Sequence, residues 1–171
     1  ISSAASDVYK RQALIRRLNA AGLKVVMTGS GNAKEVETIR AIVPEDADAA
    51  IVAGKLSFAQ TAELIARSKG FVGPDTGTTH VASSTGVPIV TLFGPSDPKT
   101  WGPWGKGQTE PFECRNDGVP QRRGNIILLQ RHCKCLGAMG CLNRRDSHSD
   151  CLNALTVEEV WNALKELKVV Q

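Results

Sequence analysis

The six residues Asp75-Thr76-Gly77-Thr78-Thr79-His80 are the part of this sequence best suited to bind an anion. They follow the short apolar run Phe71-Val72 and open a predicted helix, where free backbone N–H groups and the helix dipole attract negative charge. Gly77 lets a ligand approach closely, the three threonines add hydroxyl donors, and His80 adds a donor or a charge. A structural alternative stays open, in which Asp75 only caps the helix and His80 only packs at the surface.

Three other loops, rich as a group in glycine and small hydroxyl residues, also follow apolar runs. They are Thr28-Gly29-Ser30-Gly31, Gly54-Lys55 and Gly94-Pro95-Ser96-Asp97. Such loops let backbone N–H groups come close to a ligand. In a parallel sheet the carboxyl ends of the strands share one edge, where ligands bind. The four loops together therefore predict a binding site at that edge.

The elements that must position these loops are visible as an alternation of strand and helix patterns. Apolar runs predict buried strands over 23–27, 49–53, 71–72, 89–93 and 126–129. Capping residues and apolar stripes predict five helices: one over residues 14–21 and four that start at Asn32, Ser57, Asp75 and Thr156. In the helix that starts at Ser57, Phe58 and Ile65 are expected on the buried face. The pattern predicts an α/β fold, a Rossmann-like parallel sheet with helices on both faces.

Composition places the chain among ordinary globular proteins. It has 171 residues, of which 42% are hydrophobic and 22% charged, with a net charge of +4. This charge is too small to indicate nucleic-acid binding, although it suits a phosphate ligand. The sequence contains no apolar run of about 18 residues of the kind that spans a membrane.

A longer stretch resembles glycosyltransferase family 9, whose best-known members are the ADP-heptose:lipopolysaccharide heptosyltransferases. The residues that carry the resemblance are Gly54-Lys55-Leu56-Ser57, the run 62–68, and FVGPDTGTTHVASSTGVPIVTLFGPSDPKTWGPWG from Phe71 to Gly105. The resemblance implies a GT-B fold, in which two Rossmann-like domains enclose the active site. It identifies this chain with the C-terminal, donor-binding half, with a Cys-rich loop near the C-terminus.

The resemblance also implies a role for individual residues. Asp75, Thr76, Gly77 and His80 match a D-T-G-x-x-H segment that contacts the diphosphate and sugar of the donor, with Thr78 inside it. Pro74 and the Thr78-Thr79 pair depart from the heptosyltransferases, which leaves the identity of the sugar and the acceptor open.

Three residues match the nucleoside part of the family's donor site. Glu35 corresponds to the acidic residue that hydrogen-bonds the ribose; its structural alternative is a capping-box partner of Asn32. Leu56 corresponds to the residue that packs on the adenine, and Lys55 lines the same wall. The alternative for Leu56 is a place in the core.

The function implied by the resemblance is inverting transfer of a sugar, namely heptose from ADP-heptose. The acceptor is a lipopolysaccharide-core or related glycan that is linked to a lipid. The reaction takes place in the cytoplasm and requires no cofactor. The general base is a carboxylate of the N-terminal domain, so we expect no catalytic base in this chain and no activity from it alone. Two other functions remain open: a GT-B sugar-nucleotide enzyme of the UDP-GlcNAc 2-epimerase type, and a non-catalytic nucleotide-binding module.

The N-terminal residues 1–12 are set apart from the fold prediction. The chain begins at Ile1, and SDVYKRQ resembles adapter read-through in assembled metagenomic reading frames, so this segment is either foreign or a disordered terminus. We expect residues 13–171 to form a truncated C-terminal Rossmann-like domain. By resemblance its first strand and phosphate loop precede Ala13 and are missing, which exposes a sheet edge.

Four cysteines form a cluster with the spacing C-x-C-x5-C-x9-C. They are Cys133, Cys135, Cys141 and Cys151. Four thiolates are able to hold a structural zinc ion, although this spacing is not that of a standard C-x-x-C pair. Reduced thiols without a metal are the main alternative, and a disulfide is disfavoured in the cytoplasm that the resemblance implies.

Basic residues surround this Cys-rich loop. They are Arg122, Arg123, Arg131, Lys134, Arg144 and Arg145. They either face an anionic lipid-linked acceptor or the inner face of the inner membrane, or form an ordinary solvated surface.

Overall fold

The computed structural model describes the backbone of residues 3–132 and 150–171, and the side chains of residues 7–132 and 151–171. Within these ranges it contains seven helices and six strands. In chain order they are α1 (Ser3–Ala20), β1 (Val25–Met27), α2 (Ala33–Ile42), β2 (Ala49–Ile51), α3 (Phe58–Ala66), β3 (Phe71–Pro74), α4 (Gly77–Thr85), β4 (Ile89–Phe93), α5 (Pro98–Trp101), β5 (Gln121–Arg123), β6 (Ile126–Gln130), α6 (Asp150–Asn153) and α7 (Val157–Glu166).

The strands form two sheets in the described part of the chain. β1 pairs with β2 in parallel, and the larger sheet has the order β3-β4-β6-β5, parallel except for β5. No strand pairing joins the two sheets among these residues. Helices connect the parallel neighbours β1 to β2 and β3 to β4, as the predicted α/β fold requires.

The larger sheet is covered on both faces. Val90, Ile127 and Leu129 pack with α7 and with Leu14 and Leu18 of α1. The alternate residues Ile89, Ile126 and Leu128 pack in a second cluster with Ile65 of α3 and Ala82 of α4. All five residues of β6 are buried, whereas all three residues of β1 are half-buried. The core of the protein therefore lies around β4 and β6.

Three helices begin where local side-chain chemistry predicts. The Asn32 side chain accepts hydrogen bonds from the N–H groups of Lys34 and Glu35. Ser57 with Gln60 and Thr156 with Glu159 form capping boxes at the starts of α3 and α7. β4 occupies the predicted range 89–93.

Several elements differ from the sequence prediction. α1 begins at Ser3, not near Ala13, and residues of the segment set aside above contact the fold: the Lys10 ammonium donates to the Leu155 carbonyl and the Gln12 amide to the Ala41 carbonyl. The prediction that Phe58 faces the core is wrong, since it is 70% exposed, whereas Ile65 is buried.

Three short elements have no counterpart in the prediction. They are β5, α5 and α6, each of three or four residues. Elements of this length show no apolar period, so the sequence pattern does not reveal them.

The described helices include none that is both long enough and apolar enough to cross a membrane. Of the predicted Cys-rich loop, residues 133–149 lie outside the described residues, and the described remainder includes Cys151 in α6.

Candidate functional site

The parallel register of the larger sheet brings the carboxyl ends of β3, β4 and β6 to one edge, called here the carboxyl edge. Pro74 at the end of β3 aligns with Leu92 of β4, and Phe93 at the end of β4 aligns with Gln130 of β6. Neighbouring strands lie about 4.8 Å apart, so the loops that leave β3 and β4 are neighbours. Two of the four predicted binding loops therefore lie side by side.

The first of these loops ends in an open helix start. α4 begins at Gly77 after the N-cap Thr76, whose side chain makes no capping hydrogen bond. The alternative in which Asp75 caps the helix is therefore wrong. Because no side chain caps them, N–H groups of the first turn remain available to an anion.

Asp75 and His80 face each other at this helix start. Nε2 of His80 lies 3.9 Å from Oδ1 of Asp75, and their side chains are 44% and 22% exposed. Both groups are thus accessible to a ligand. The pair places a carboxylate, which accepts hydrogen bonds from hydroxyl groups, beside an imidazole, which donates to or pairs with a phosphate.

The threonines and the glycine between Asp75 and His80 differ in whether they are buried or exposed. Thr79 is 1% exposed, and its hydroxyl donates to the Pro74 carbonyl at 2.6 Å. The expectation that Thr79 offers a hydroxyl to a ligand is therefore wrong. Thr78 is half-buried, and Thr76 and Gly77 are exposed. A Cβ built on Gly77 meets nothing within 4 Å, so this position has free space around it.

The other two predicted loops meet each other at the ends of β1 and β2. The Gly54 N–H donates to the Gly29 carbonyl at 3.0 Å. Gly54 has a φ of +69°, and a Cβ placed on it would lie 2.5 Å from the Cα of Gly31. This close backbone approach requires glycine at position 54, because a side chain there meets backbone that cannot move aside.

Glu35 is tied to the loop that follows β1. Its carboxylate accepts hydrogen bonds from the backbone N–H of Ser30, at 3.2 Å, and from the Ser30 hydroxyl. The backbone N–H of Asn32 donates to Ser30 Oγ. The predicted capping box between Asn32 and Glu35 is therefore not formed. Glu35 is exposed, so the carboxylate lies at the surface of the loop.

Lys55 and Leu56 follow β2, and Glu35 lies in α2, the helix that connects β1 to β2. The Lys55 ammonium donates to the Ile51 carbonyl at 3.1 Å and is exposed. Leu56 is half-buried and belongs to neither described core cluster. Its alternative place in the core is therefore not supported. Among the residues that the structure describes, Glu35, Lys55 and Leu56 make no hydrogen bond or ion pair with the segment from Asp75 to His80.

The loop that follows β4 carries polar contacts that the sequence analysis missed. Asp97 caps α5 by accepting from the Lys99 N–H at 2.9 Å. Partial burial acts to raise the pKa of Asp97, but hydrogen bonds from the Lys99 backbone, the Cys114 thiol and the Thr100 hydroxyl outweigh it and lower the pKa. Cys114 is exposed, but partial desolvation of its thiol and the neighbouring Asp97 carboxylate raise the pKa of the thiol and favour its protonated form.

Gln130 lies at this edge and is not among the residues that the sequence pattern singled out. It is 5% exposed, and its Nε2 donates to the carbonyls of Gly94 and Ser96. The only sign of it in the sequence is a polar residue that closes the apolar run Ile126 to Leu129.

The predicted zinc ligands fall mainly outside the described structure. Cys133, Cys135 and Cys141 lie beyond the described residues, and Cys151 is buried at 6% exposure in α6. Within the described ranges, no cluster of three or more His, Cys, Asp or Glu residues has the geometry of a metal site.

The basic residues near this region that the structure describes are ion-paired. Arg122 pairs with Glu166, Arg123 with Glu113 and Arg131 with Glu159. Lys134, Arg144 and Arg145 lie outside the described residues. Where the structure describes them, these charges are compensated, as on a solvated protein surface.

Comparison with known proteins relates the sequence to an enzyme family. The family model described as "Glycosyltransferase family 9 (heptosyltransferase)" matches residues 7–125. The chain is 30% identical to lipopolysaccharide heptosyltransferase 3 of Escherichia coli over 100 residues, which are 57% of this chain and 29% of that protein. It is 37% identical to lipopolysaccharide heptosyltransferase 1 of Pseudomonas aeruginosa over 68 residues, or 38% of this chain and 19% of that protein.

Two solved structures share the fold. A glycosyltransferase family 9 protein from Veillonella parvula superposes with a TM-score of 0.66 and 22% identity, over 96% of this chain and 40% of its own. The E. coli ADP-heptose lps heptosyltransferase II gives a TM-score of 0.66 and 24% identity, over 94% of this chain and 40% of its own. The chain thus spans less than half the length of the proteins that it matches.

Proposed function

This chain belongs to glycosyltransferase family 9, and from this premise we propose that it is the donor-binding domain of an inverting glycosyltransferase. The reaction transfers heptose from ADP-heptose to a lipopolysaccharide-core or related glycan. The observation that carries the proposal is the open start of α4 beside Asp75 and His80, which lies inside the region matched by the family. An uncapped helix start suits a diphosphate because it offers N–H donors and a favourable dipole to a dianion.

In this proposal the donor lies across the carboxyl ends of both sheets. The diphosphate binds at Gly77 and Thr78, with His80 as a donor or cation, and Asp75 accepts hydrogen bonds from sugar hydroxyls. Glu35 accepts from the ribose hydroxyls, and its hydrogen bonds to Ser30 hold the carboxylate in place for that task. Leu56 and Lys55 form the wall against the adenine.

The proposed chemistry is in-line displacement at the anomeric carbon. An acceptor hydroxyl attacks, the bond from that carbon to the diphosphate oxygen breaks, and the negative charge on the leaving nucleoside diphosphate grows. The α4 N–H groups and His80 stabilise that charge, without an obligatory metal. The base that takes the hydroxyl proton belongs to another domain, so we assign no catalytic residue in this chain.

The donor-binding domain needs one more strand, which we place between β1 and β3. All three β1 residues are apolar, yet they are only half-buried, whereas strands of parallel sheets covered on both faces are normally buried. An N-terminal extension that supplies an apolar strand is expected to raise the urea midpoint of the protein. An unchanged midpoint argues against this placement.

We place the reaction in the cytoplasm, at the inner face of the inner membrane, where a lipid-linked acceptor is accessible. The membrane contact is tested by comparing the binding of the protein to anionic and to neutral lipid vesicles. Equal and negligible binding to both kinds of vesicle contradicts the membrane contact. A structural zinc at the four cysteines is likewise a proposal, supported only by their clustering within residues 133–151. A purified protein with no bound zinc and four reactive thiols contradicts it.

Calorimetric titration of the chain with ADP, ADP-heptose and UDP tests the donor assignment. We expect ADP and ADP-heptose to bind and UDP to bind at least about tenfold more weakly. Tighter binding of UDP supports the epimerase-type alternative instead. The full-length protein is then assayed for heptose transfer: binding without transfer supports a non-catalytic nucleotide-binding module, and absence of both binding and transfer overturns the proposal.

A further inference from the structure

Gln130 is buried at the carboxyl end of β6 and joins that strand to the loop that follows β4. Its side-chain Nε2 donates to the Gly94 carbonyl at 2.7 Å and to the Ser96 carbonyl at 2.9 Å. A glutamine amide has two N–H donors, and both serve this one loop. The loop is therefore held at two points, one on each side of Pro95.

The other end of the same amide is unsatisfied. Gln130 Oε1 is buried and has no hydrogen-bond partner among the described residues. Burying an acceptor without a hydrogen-bond partner destabilises the folded state. The side chain thus satisfies two loop carbonyls, while its own carbonyl has no partner among the described residues.

Asn125 provides an internal comparison within the same protein. Its Nδ2 donates to the Val87 carbonyl, and its Oδ1 is likewise buried without a partner among the described residues. Asn125 precedes β6 and Gln130 ends it, so the two amides lie roughly 16 Å apart along the strand direction. The chemistry is the same at both positions, but only Gln130 lies at the carboxyl edge.

We propose that Gln130 is a positioning residue for the nucleotide-sugar site. This inference rests on the proposed function and deepens it. β4 lies between β3 and β6, so the Gly94–Ser96 loop is the direct neighbour of the segment that leaves β3 through Asp75 and enters α4, which contains His80. The same loop leads into Asp97, which caps α5. Gln130 itself does not touch the ligand; it acts by fixing the backbone of the neighbouring loop.

The first test compares Gln130→Met with Asn125→Leu in the full chain. Each variant removes the donated hydrogen bonds and keeps a side chain of similar size. We expect Gln130→Met to weaken ADP binding about tenfold, as measured by calorimetry, and Asn125→Leu to leave it within about twofold. In the ligand-free protein, the backbone amide NMR signals of Ser96 and Asp97 are expected to shift in Gln130→Met only.

A second variant separates positioning from a general loss of stability. In Gln130→Glu a carboxylate faces two carbonyl oxygens, which repel it, whereas a protonated carboxyl donates to one of them. Burial raises the pKa of such a carboxyl. We therefore expect the ADP affinity of this variant, divided by that of the unmodified protein at the same pH, to rise as the pH is lowered.

The outcomes distinguish this inference from the function on which it rests. If the unmodified chain binds no ADP, both fail. If it binds ADP and Gln130→Met binds equally well, the positioning role is overturned and the proposed function stands. If Gln130→Met does not fold, a pH-independent affinity ratio for Gln130→Glu overturns the positioning role.

Discussion

Nε2 of His80 lies 3.9 Å from Oδ1 of Asp75 across the first turn of α4, with both side chains accessible. The distance is longer than a hydrogen bond, so the two groups are not committed to each other. Each is therefore available to a different part of a ligand. This arrangement allows the two residues to be tested separately with ligands that contain or lack the sugar.

Replacement of His80 by alanine is expected to weaken ADP and ADP-heptose about equally. The imidazole in the proposed site contacts the diphosphate that both ligands contain, and loss of one hydrogen bond to a charged group corresponds to about tenfold in affinity. Calorimetric titration measures the change. Ser84→Ala, at the other end of α4, is the matched control and is expected to bind as the unmodified protein does. Equal affinities for all three proteins would contradict a role for His80.

Replacement of Asp75 by asparagine is expected to separate the two ligands. The charged carboxylate accepts strong hydrogen bonds from sugar hydroxyls but repels a diphosphate. Asp75→Asn should therefore weaken ADP-heptose by about tenfold and leave ADP unchanged or bound more tightly. Weaker binding of both ligands by the same factor would place Asp75 on the nucleotide, not on the sugar.

Gly77→Ala is expected to increase stability and weaken binding. A Cβ at this position meets nothing within 4 Å, and alanine reduces the conformational entropy of the unfolded chain, which gives a gain of about 0.5 kcal/mol. The same methyl group occupies the space through which a diphosphate reaches the helix start. Urea denaturation measures the first effect and calorimetry the second. An unchanged ADP affinity would show that the ligand does not approach Gly77 closely.

Gly54→Ala is expected to destabilise the protein more than Gly22→Ala. Both glycines have positive φ, +69° and +75°, so both variants pay for a left-handed alanine. Only at Gly54 does the new Cβ also collide with the backbone of Gly31. We expect a loss of about 1 kcal/mol at Gly22 and about 2–3 kcal/mol at Gly54, measured by urea denaturation. Equal losses would indicate that the loops after β1 and β2 do not meet.

The stability of α7 is expected to depend on pH through Glu159. Partial burial acts to raise the pKa of this carboxyl, but hydrogen bonds from Thr156 and the charge of Arg131 outweigh it and lower the pKa. A lowered pKa in the folded state contributes stability above the unfolded value of about 4.3, and this stability is lost as the pH falls through the folded value. Glu159→Gln should thus cost about 1 kcal/mol or less at pH 7 and nothing near pH 2. A difference that persists at pH 2 would assign the effect to packing.

The features of the fold that were predicted correctly depend on local chemistry. Ser57 with Gln60 and Thr156 with Glu159 identify the two capping boxes within four residues of sequence. Four of the five residues in the run 89–93 are apolar, and β4 is covered on both faces. Such features are visible without knowledge of what packs where.

The features that were missed or predicted wrongly depend on distant contacts. Phe58 shares a predicted helix face with Ile65, but only the packing of α3 on α4 decides how much of that face is covered. Thr79 turns its hydroxyl to the Pro74 carbonyl, which a composition of loop residues does not reveal. Gln130 holds carbonyls 34 and 36 positions away in sequence. Of the four loops predicted to meet at one edge, two are neighbours after β3 and β4 and two meet after β1 and β2. The residue that holds the loop after β4 was not predicted.

The division of the strands into two sheets also affects how the protein opens. The β1–β2 pair has only three register positions and half-buried residues, whereas β4 and β6 are almost wholly buried. Paired strands of this size are marginal by themselves, so we expect local unfolding to begin at this pair and to reach β6 last. Glu35, in α2, and Lys55 and Leu56, after β2, belong to segments next to this pair. A nucleotide that binds these three residues would therefore suppress local unfolding most strongly at the β1–β2 pair, which is the least stable part of the protein without a ligand.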